Sequence, residues 1–103
     1  MDIQINSAGM DLTDAIEQHV HDRVHHALGR FESRLTRIEV HLRDENGHKS
    51  GPDDQRCMIE ARPAGKHPVA VEQHASDMYG AISEAADKLK RVLDTSFAKD
   101  AAN

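Results

Sequence analysis

Residues 77–93 carry the pattern of an amphipathic helix, and this pattern limits the folds that the chain can adopt. Apolar side chains recur along it at spacings of three and four, so they fall on one helix face. Such a helix must bury its apolar face against a second layer of structure. We expect the helix to begin at Ser76 or Asp77 and to continue to about Ser96. Its apolar face consists of Met78, Ile82, Ala85, Leu89, Val92 and Leu93.

A second helix pattern lies closer to the N-terminus. Thr13 is a good N-cap, and Asp14 and Glu17 place carboxylates in the first turn, where the helix dipole favours them. The helix should end near Leu28, because Gly29 is a plausible C′ residue. Its apolar positions also share one face, and they are Ile16, Val20, Val24, Ala27 and Leu28.

Four segments instead alternate apolar and polar residues, which is the period of a strand with one buried face. They are centred on residues 3–5, 38–42, 57–61 and 69–71, and a polar loop occupies residues 44–54. The order β-α-β-β-β-α predicts an α+β two-layer sandwich, with two helices packed on one face of a four-stranded sheet. Residues 1–97 should form a single domain, and residues 98–103 a frayed tail.

Composition limits the functions open to this domain. The net charge is -5 at pH 7 with histidine neutral, whereas nonspecific polyanion binders usually carry a basic excess. A local cationic stripe can nevertheless bind phosphate on an acidic protein. The single cysteine fits a reducing compartment, and neither a signal peptide nor a membrane span of about 20 apolar residues is visible. We therefore expect a cytoplasmic protein without a membrane partner.

The sequence offers little support for catalysis. Cys57 falls on the inward phase of its strand, which favours a buried thiol over a nucleophile. A Gly-rich phosphate loop, a paired-carboxylate motif and a nucleophile elbow are all missing. His21 and His25 stand four residues apart and could share a metal ion, but that helix face supplies no good third ligand. We therefore expect no enzyme activity, cofactor, metal site or small-molecule substrate.

The first helix carries a narrow stripe of cationic and titratable side chains, spaced by four, three and four residues. Its members are His19, Arg23, His26 and Arg30. The stripe would be about 16 Å long, at about 1.5 Å per residue, and could follow a phosphate backbone. Because histidine titrates near neutrality, RNA binding should strengthen as the pH falls from about 7.5 to about 6. The alternative is a solvated helix edge whose arginine stems cover the rim of the core.

The last helix adds Lys88, Lys90 and Arg91. Glu84 stands four residues before Lys88, and Asp87 four before Arg91, which is the favourable orientation for ion pairs within a helix. Such exposed pairs contribute only about 0.3–0.5 kcal/mol each, but they would partly neutralise the cations. The charge pattern alone therefore does not assign these residues to RNA.

Several segments also match a known pattern along nearly the whole chain. The strand 3–6 is followed by residues 10–13 at the entry to the first helix, by Phe31 after that helix, and by the strand 38–42. The most specific part is Asp77-Met78-Tyr79 followed by Ala81-Ile82 and Asp87-Lys88-Leu89. In this arrangement the chain resembles the short ribosome-hibernation factors, the sigma-54 modulation or ribosome-associated inhibitor family.

The resemblance implies a protein that binds the small ribosomal subunit, on 30S or 70S particles, in the decoding channel. There it would contact 16S rRNA, overlap the messenger and tRNA positions, and silence translation in stationary phase. It also implies that the contacts come from basic residues along the two helices. The predicted RNA-binding residues are Arg23, His26, Arg30, Lys88, Lys90 and Arg91. This prediction requires that these side chains share one surface and are not covered by carboxylates.

Two alternatives remain open. A protein-interaction module on the same fold, without ribosome affinity, would use the exposed sheet face with Arg37, Glu39, His41 and Arg43. A small metal- or pH-sensing domain would use the histidines. Tyr79 should be a boundary residue at the edge of the last helix, or alternatively an aromatic that stacks on a base.

Overall fold

The computed structural model describes residues 1–45 and 53–102, which form one four-stranded sheet and two long helices. The predicted α+β class and the order β-α-β-β-β-α are confirmed. The elements are β1 (Asp2–Ala8), α1 (Asp14–Leu28), a 3₁₀-helix (Gly29–Arg34), β2 (Leu35–Asp44), β3 (Gln55–Pro63), β4 (Val69–Ala75) and α2 (Met78–Ala102). Most of the predicted polar loop, including His48, lies outside the described residues.

The strands follow the order β1-β2-β3-β4, so β1 and β4 are the sheet edges. β1 pairs parallel with β2, and α1 forms the crossover between them, whereas the other two pairs are antiparallel. Along β2, Ile38, Val40 and Leu42 are buried and alternate with more exposed polar residues. Val40 lies opposite the buried Ile59 of β3, so the apolar sides of the strands coincide. Both helices cover this apolar face of the sheet.

Aliphatic side chains from both layers fill the core. The largest fully buried ones include Leu28, Ile38, Leu42, Ile59, Ile82, Leu89 and Leu93. Val92 departs from the predicted apolar face, because its side chain is 38% exposed. Its position on the helix is rotated towards the side of α2 that lies over β4. The prediction that Val92 belongs to the buried face is therefore wrong.

The predicted start and end of α1 are confirmed, but the predicted C′ conformation of Gly29 is not. Thr13 is the N-cap, and its Oγ1 accepts a hydrogen bond from the backbone N–H of Ile16 at 3.1 Å. Gly29 has φ −55° and ψ −35°, so it is right-handed rather than a left-handed C′ residue. The chain continues at Gly29 into the 3₁₀-helix instead of turning sharply away.

The last helix extends beyond the end that the sequence predicted. Residues 98–102 are helical, where a frayed tail was expected. Phe97 is buried against Phe31 with ring centroids 5.1 Å apart, and Lys66 forms an ion pair with Asp100 at 2.6 Å. These contacts hold the final turns against the domain, while the domain limit at residue 97 stays a prediction. Within the described ranges, no helix is long and apolar enough to cross a membrane.

Candidate nucleic-acid interface

The cationic stripe that begins on α1 faces α2 rather than open solvent. At its first position, Nε2 of His19 lies 3.1 Å from the backbone oxygen of Tyr79 and 3.0 Å from Oγ of Ser83. The His19 ring packs edge-on against Tyr79, with ring centroids 5.0 Å apart. His19 is therefore engaged in packing between the helices. Tyr79 is 44% exposed, which fits the expected boundary residue.

Arg23, the next member of the stripe, lies against a carboxylate of α2. Its Nη2 is 3.7 Å from Oδ1 of Asp87, which is an ion pair too long for a hydrogen bond. Its Nε is buried and has no hydrogen-bond acceptor among the described residues. The charge of Arg23 is thus balanced, whereas part of its donor capacity is unused.

Asp94 of α2 contacts two predicted RNA-binding cations. One carboxylate oxygen contacts Nη2 of Arg30, which follows α1, and the other lies 3.5 Å from Nζ of Lys90. One carboxylate therefore neutralises cations from both helical segments. We call these facing side chains the interhelical ladder, which comprises His19, Arg23 and Arg30 opposite Ser83, Asp87, Lys90 and Asp94.

The other side of α2 forms a groove of about 690 Å³ over β4. Lys88, Val92 and Lys99 share this side of the helix, because they are separated by four and seven residues. The exposed part of Val92 contributes to the floor of the groove, together with Val69 at the start of β4. We call this surface the basic groove, which comprises Lys66, Lys88, Arg91 and Lys99 around Val69 and Val92.

The cations of the basic groove are less neutralised than those of the ladder. Nζ of Lys88 donates a hydrogen bond to the backbone oxygen of Glu72 at 3.2 Å, and it interacts with the Glu72 carboxylate without forming an ion pair. In the described part of the chain, neither Arg91 nor Lys99 forms an ion pair. Lys66 is the exception, since its Nζ lies 2.6 Å from a carboxylate oxygen of Asp100. The groove is therefore a local concentration of positive charge.

The two ion pairs predicted within α2, Glu84 with Lys88 and Asp87 with Arg91, do not form. Asp87 pairs instead with Arg23 of α1, and Lys88 turns to a backbone oxygen of β4. Neighbouring elements supply these partners, and the spacing within one helix does not reveal them. Because Asp87 pairs with Arg23 and not with Arg91, the guanidinium of Arg91 is available to an external anion.

The six predicted RNA-binding residues are thus divided by the fold. Arg23, Arg30 and Lys90 lie in the interhelical ladder, Lys88 and Arg91 line the basic groove, and His26 is exposed on α1. All of them belong to the helical layer. The three residues in the ladder do not meet the requirement that the cations be uncovered, because carboxylates contact them.

Lys66 and Lys99 are groove residues that the sequence analysis missed. Lys99 lies seven residues after Val92 and eleven after Lys88, so helical periodicity could have placed it on this side. It was instead assigned to a frayed tail. Lys66 lies in the turn before β4, and no periodicity relates that turn to α2. Only the packing of the turn beside the end of α2 reveals it.

The outer face of the sheet differs from the groove because its charges are balanced. Arg62 lies 3.2 Å from Glu39 and 2.9 Å from Glu60, and its hydrogen bond lowers the pKa of Glu60. Arg56 bonds Glu72 at 2.9 Å and likewise lowers the pKa of that carboxyl. A surface of neutralised pairs has no strong preference for an anionic or a cationic partner.

The cysteine and the histidine pair lie apart from both surfaces. Cys57 is fully buried, and burial raises the pKa of its thiol to about 12, so it has the features of a core residue. His21 and His25 stack with ring centroids 6.3 Å apart. Across residues 1–45 and 53–102, no group of three potential metal ligands is assembled.

The fold and the sequence both match known proteins. The sequence matches the family model described as sigma 54 modulation protein / S30EA ribosomal protein over residues 3–99, which confirms the predicted resemblance. A ribosomal subunit interface protein from Coxiella burnetii superposes with a TM-score of 0.79 at 17% identity, covering 95% of this chain and 99% of its own. The N-terminal domain of Thermus thermophilus Protein Y gives a TM-score of 0.72 at 25% identity, covering 88% of this chain and 93% of its own. No curated protein sequence matches the chain significantly.

Proposed function

This chain belongs to the sigma 54 modulation protein / S30EA ribosomal protein family, and on this basis we propose that it is a ribosome-associated hibernation factor. It binds the small subunit, on 30S or 70S particles, in the decoding channel. There it excludes messenger RNA and tRNA and so silences translation. Inhibition of this kind results from occupancy of the channel, so it requires neither a catalytic residue nor a cofactor.

The basic groove is the observation that supports RNA binding by this particular chain. Among the described residues, four cations and one carboxylate line it, and this carboxylate, that of Asp100, is already paired with Lys66. From Lys88 to Lys99 the helix spans about 16 Å, at about 1.5 Å per residue. An RNA strand that follows α2 could therefore place several phosphates beside Lys88, Arg91 and Lys99.

The acidic balance of the whole chain restricts how RNA can approach. The net charge is -5 at pH 7, so most orientations of the protein repel a phosphate backbone. The groove is a local exception, and local potential steers encounter more than net charge does. We infer that RNA meets the helical layer with the basic groove foremost, while the outer face of the sheet points away.

The six sequence-predicted residues contribute unequally in this proposal. Lys88 and Arg91 contact phosphate directly, together with Lys99, while Lys66 contributes less because Asp100 already balances its charge. His26 is exposed on α1 and adds a polar contact at the edge of this surface. The remaining three, Arg23, Arg30 and Lys90, are occupied by carboxylates and contribute less. Substituting a cation of the basic groove should therefore lower the affinity for RNA more than substituting a cation of the interhelical ladder.

The proposal is tested by cosedimentation of the purified protein with 30S subunits on a sucrose gradient. We expect binding to empty subunits, and loss of binding when the subunits are first loaded with messenger RNA and tRNA. Binding that is unchanged by this loading would contradict the decoding-channel assignment. Recovery of the protein only at the top of the gradient, at low salt, would favour the protein-interaction module instead.

A further inference from the structure

The interhelical ladder contains a carboxylate where an RNA phosphate would fit. Asp94 directs one oxygen to Arg30 and the other to Lys90, so it bridges cations on two helical segments. A phosphate group that crossed the same gap would use two of its oxygens in the same way. The carboxylate therefore occupies the position in which a nucleic acid would gain two charge-assisted contacts.

Asp87 has the same relation to Arg23, but its contact is weaker. The 3.7 Å separation balances charge without forming a hydrogen bond, and Nε of Arg23 is buried without an acceptor. Arg23 therefore keeps donors that its own protein does not satisfy. An incoming anion that replaced Asp87 could accept a hydrogen bond from Nη2 of Arg23, whereas the buried Nε lies out of its reach.

We propose that Asp87 and Asp94 act as internal competitors of RNA phosphate on the interhelical ladder and so limit the affinity of the protein for RNA. The proposal rests on the RNA-binding function proposed above, and it assigns these two residues a role in setting its strength. In the wild-type protein, RNA engages the basic groove, while the ladder remains closed on its own carboxylates. The protein thus binds RNA with fewer contacts than its cations would allow.

This role predicts a specific salt dependence. Each phosphate contact that releases counterions adds about 0.7 to the slope of log affinity against log salt for single strands. A cation that stays paired with an internal carboxylate neutralises no phosphate, so it releases no counterion from the RNA and adds little to this slope. If a substitution removes the carboxylate charge and keeps the side-chain shape, the affinity and the slope should both rise.

The test measures binding of a fluorescent oligouridine of about 20 nucleotides by anisotropy, over a range of salt concentrations. The variants are Asp94→Asn and Asp87→Asn, with Glu84→Gln as the matched control. Glu84 lies on the exposed surface of α2 and forms no ion pair among the described residues, and its substitution changes the net charge by the same amount. Thermal melting of each variant shows that the fold is retained.

At about 0.1 M salt we expect each released cation to strengthen binding about fivefold, which follows from about 0.7 log units per decade of salt. Asp94→Asn releases two cations, so it should strengthen binding about 25-fold and raise the salt slope by about 1.4. Asp87→Asn releases one, so it should strengthen binding about fivefold and raise the slope by about 0.7. The control should change the affinity by less than about twofold and leave the slope unaltered.

Equal changes in Asp94→Asn and Glu84→Gln would overturn the proposal, because they would reflect net charge alone. A rise in affinity without a rise in slope would overturn it as well. If the affinity and the slope for oligouridine change as predicted but the protein fails to bind 30S subunits, the competitor role is supported and the ribosomal function is contradicted. If no variant binds oligouridine even at low salt, the competitor role is wrong, and cosedimentation with 30S subunits then decides the ribosomal function separately.

Discussion

The two sides of α2 show how the same residue types can have opposite electrostatic properties. On the side that faces α1, lysine and arginine are held by Asp87 and Asp94. On the side over β4, Lys88 and Arg91 form no ion pair with a carboxylate in the described residues, and an exposed apolar floor lies between the cations. The comparison shows that the number of cations on a helix does not determine anion affinity. What matters is whether a neighbouring element supplies the counter-charge.

The largest effect is expected when two cations on one side of α2 are replaced by glutamine and compared with two replaced on the other side. Lys88→Gln with Arg91→Gln should weaken binding to 30S subunits about 25-fold at about 0.1 M salt, because two phosphate contacts are lost. Arg23→Gln with Arg30→Gln removes the same charge and should weaken binding less than about threefold, since those cations are already neutralised. Dissociation constants from filter binding would decide it. Equal losses would show that the groove and the ladder do not differ in function.

A smaller test compares two lysines within the basic groove. Lys99→Gln should weaken binding about fivefold, as expected for one phosphate contact at about 0.1 M salt. Lys66→Gln should have a clearly smaller effect, because Asp100 already balances its charge at 2.6 Å. The same filter-binding assay measures both. A larger loss for Lys66→Gln than for Lys99→Gln would mean that internal pairing does not set the contribution of a cation.

The smallest effect on RNA binding is expected at Cys57, whose thiol reports whether any variant disturbs the fold. Burial raises its pKa from 9.0 to about 12, so the folded protein keeps the thiol protonated where the unfolded chain loses the proton. The free energy of unfolding should therefore fall as the pH rises from about 9 towards 12. At about pH 8 the thiol should react slowly with a disulfide reagent in every groove and ladder variant. If Cys57 of one variant reacts rapidly with the reagent, the loss of RNA binding by that variant is due to unfolding.

The fold could be predicted from the sequence because its signals are local. The alternation in β2 and the spacing of apolar residues in both helices depend only on positions along one element. The N-cap at Thr13 is equally local, and it forms as expected. Predictions at element ends were weaker, since Gly29 continues the chain into a 3₁₀-helix and residues 98–102 remain helical.

The candidate site was less predictable because it depends on contacts between elements. The pairing of Arg23 with Asp87 requires the rotation of α1 against α2, which no single-helix pattern supplies. The same reason explains why the expected pair of Asp87 with Arg91 does not form. Lys66 became part of the groove only through the packing of a turn beside α2. The residue types at the site were predictable from the sequence, but their electrostatic partners were not.

The contact between Phe31 and Phe97 has a consequence for how the protein is made. These rings join the segment after α1 to the late turns of α2, and α2 also supplies Ile82, Leu89 and Leu93 to the core. A nascent chain that lacks its final helix leaves the apolar face of the sheet half uncovered. The domain can therefore close only after α2 has been translated, so the strands and α1 alone do not give a molecule that is competent to bind.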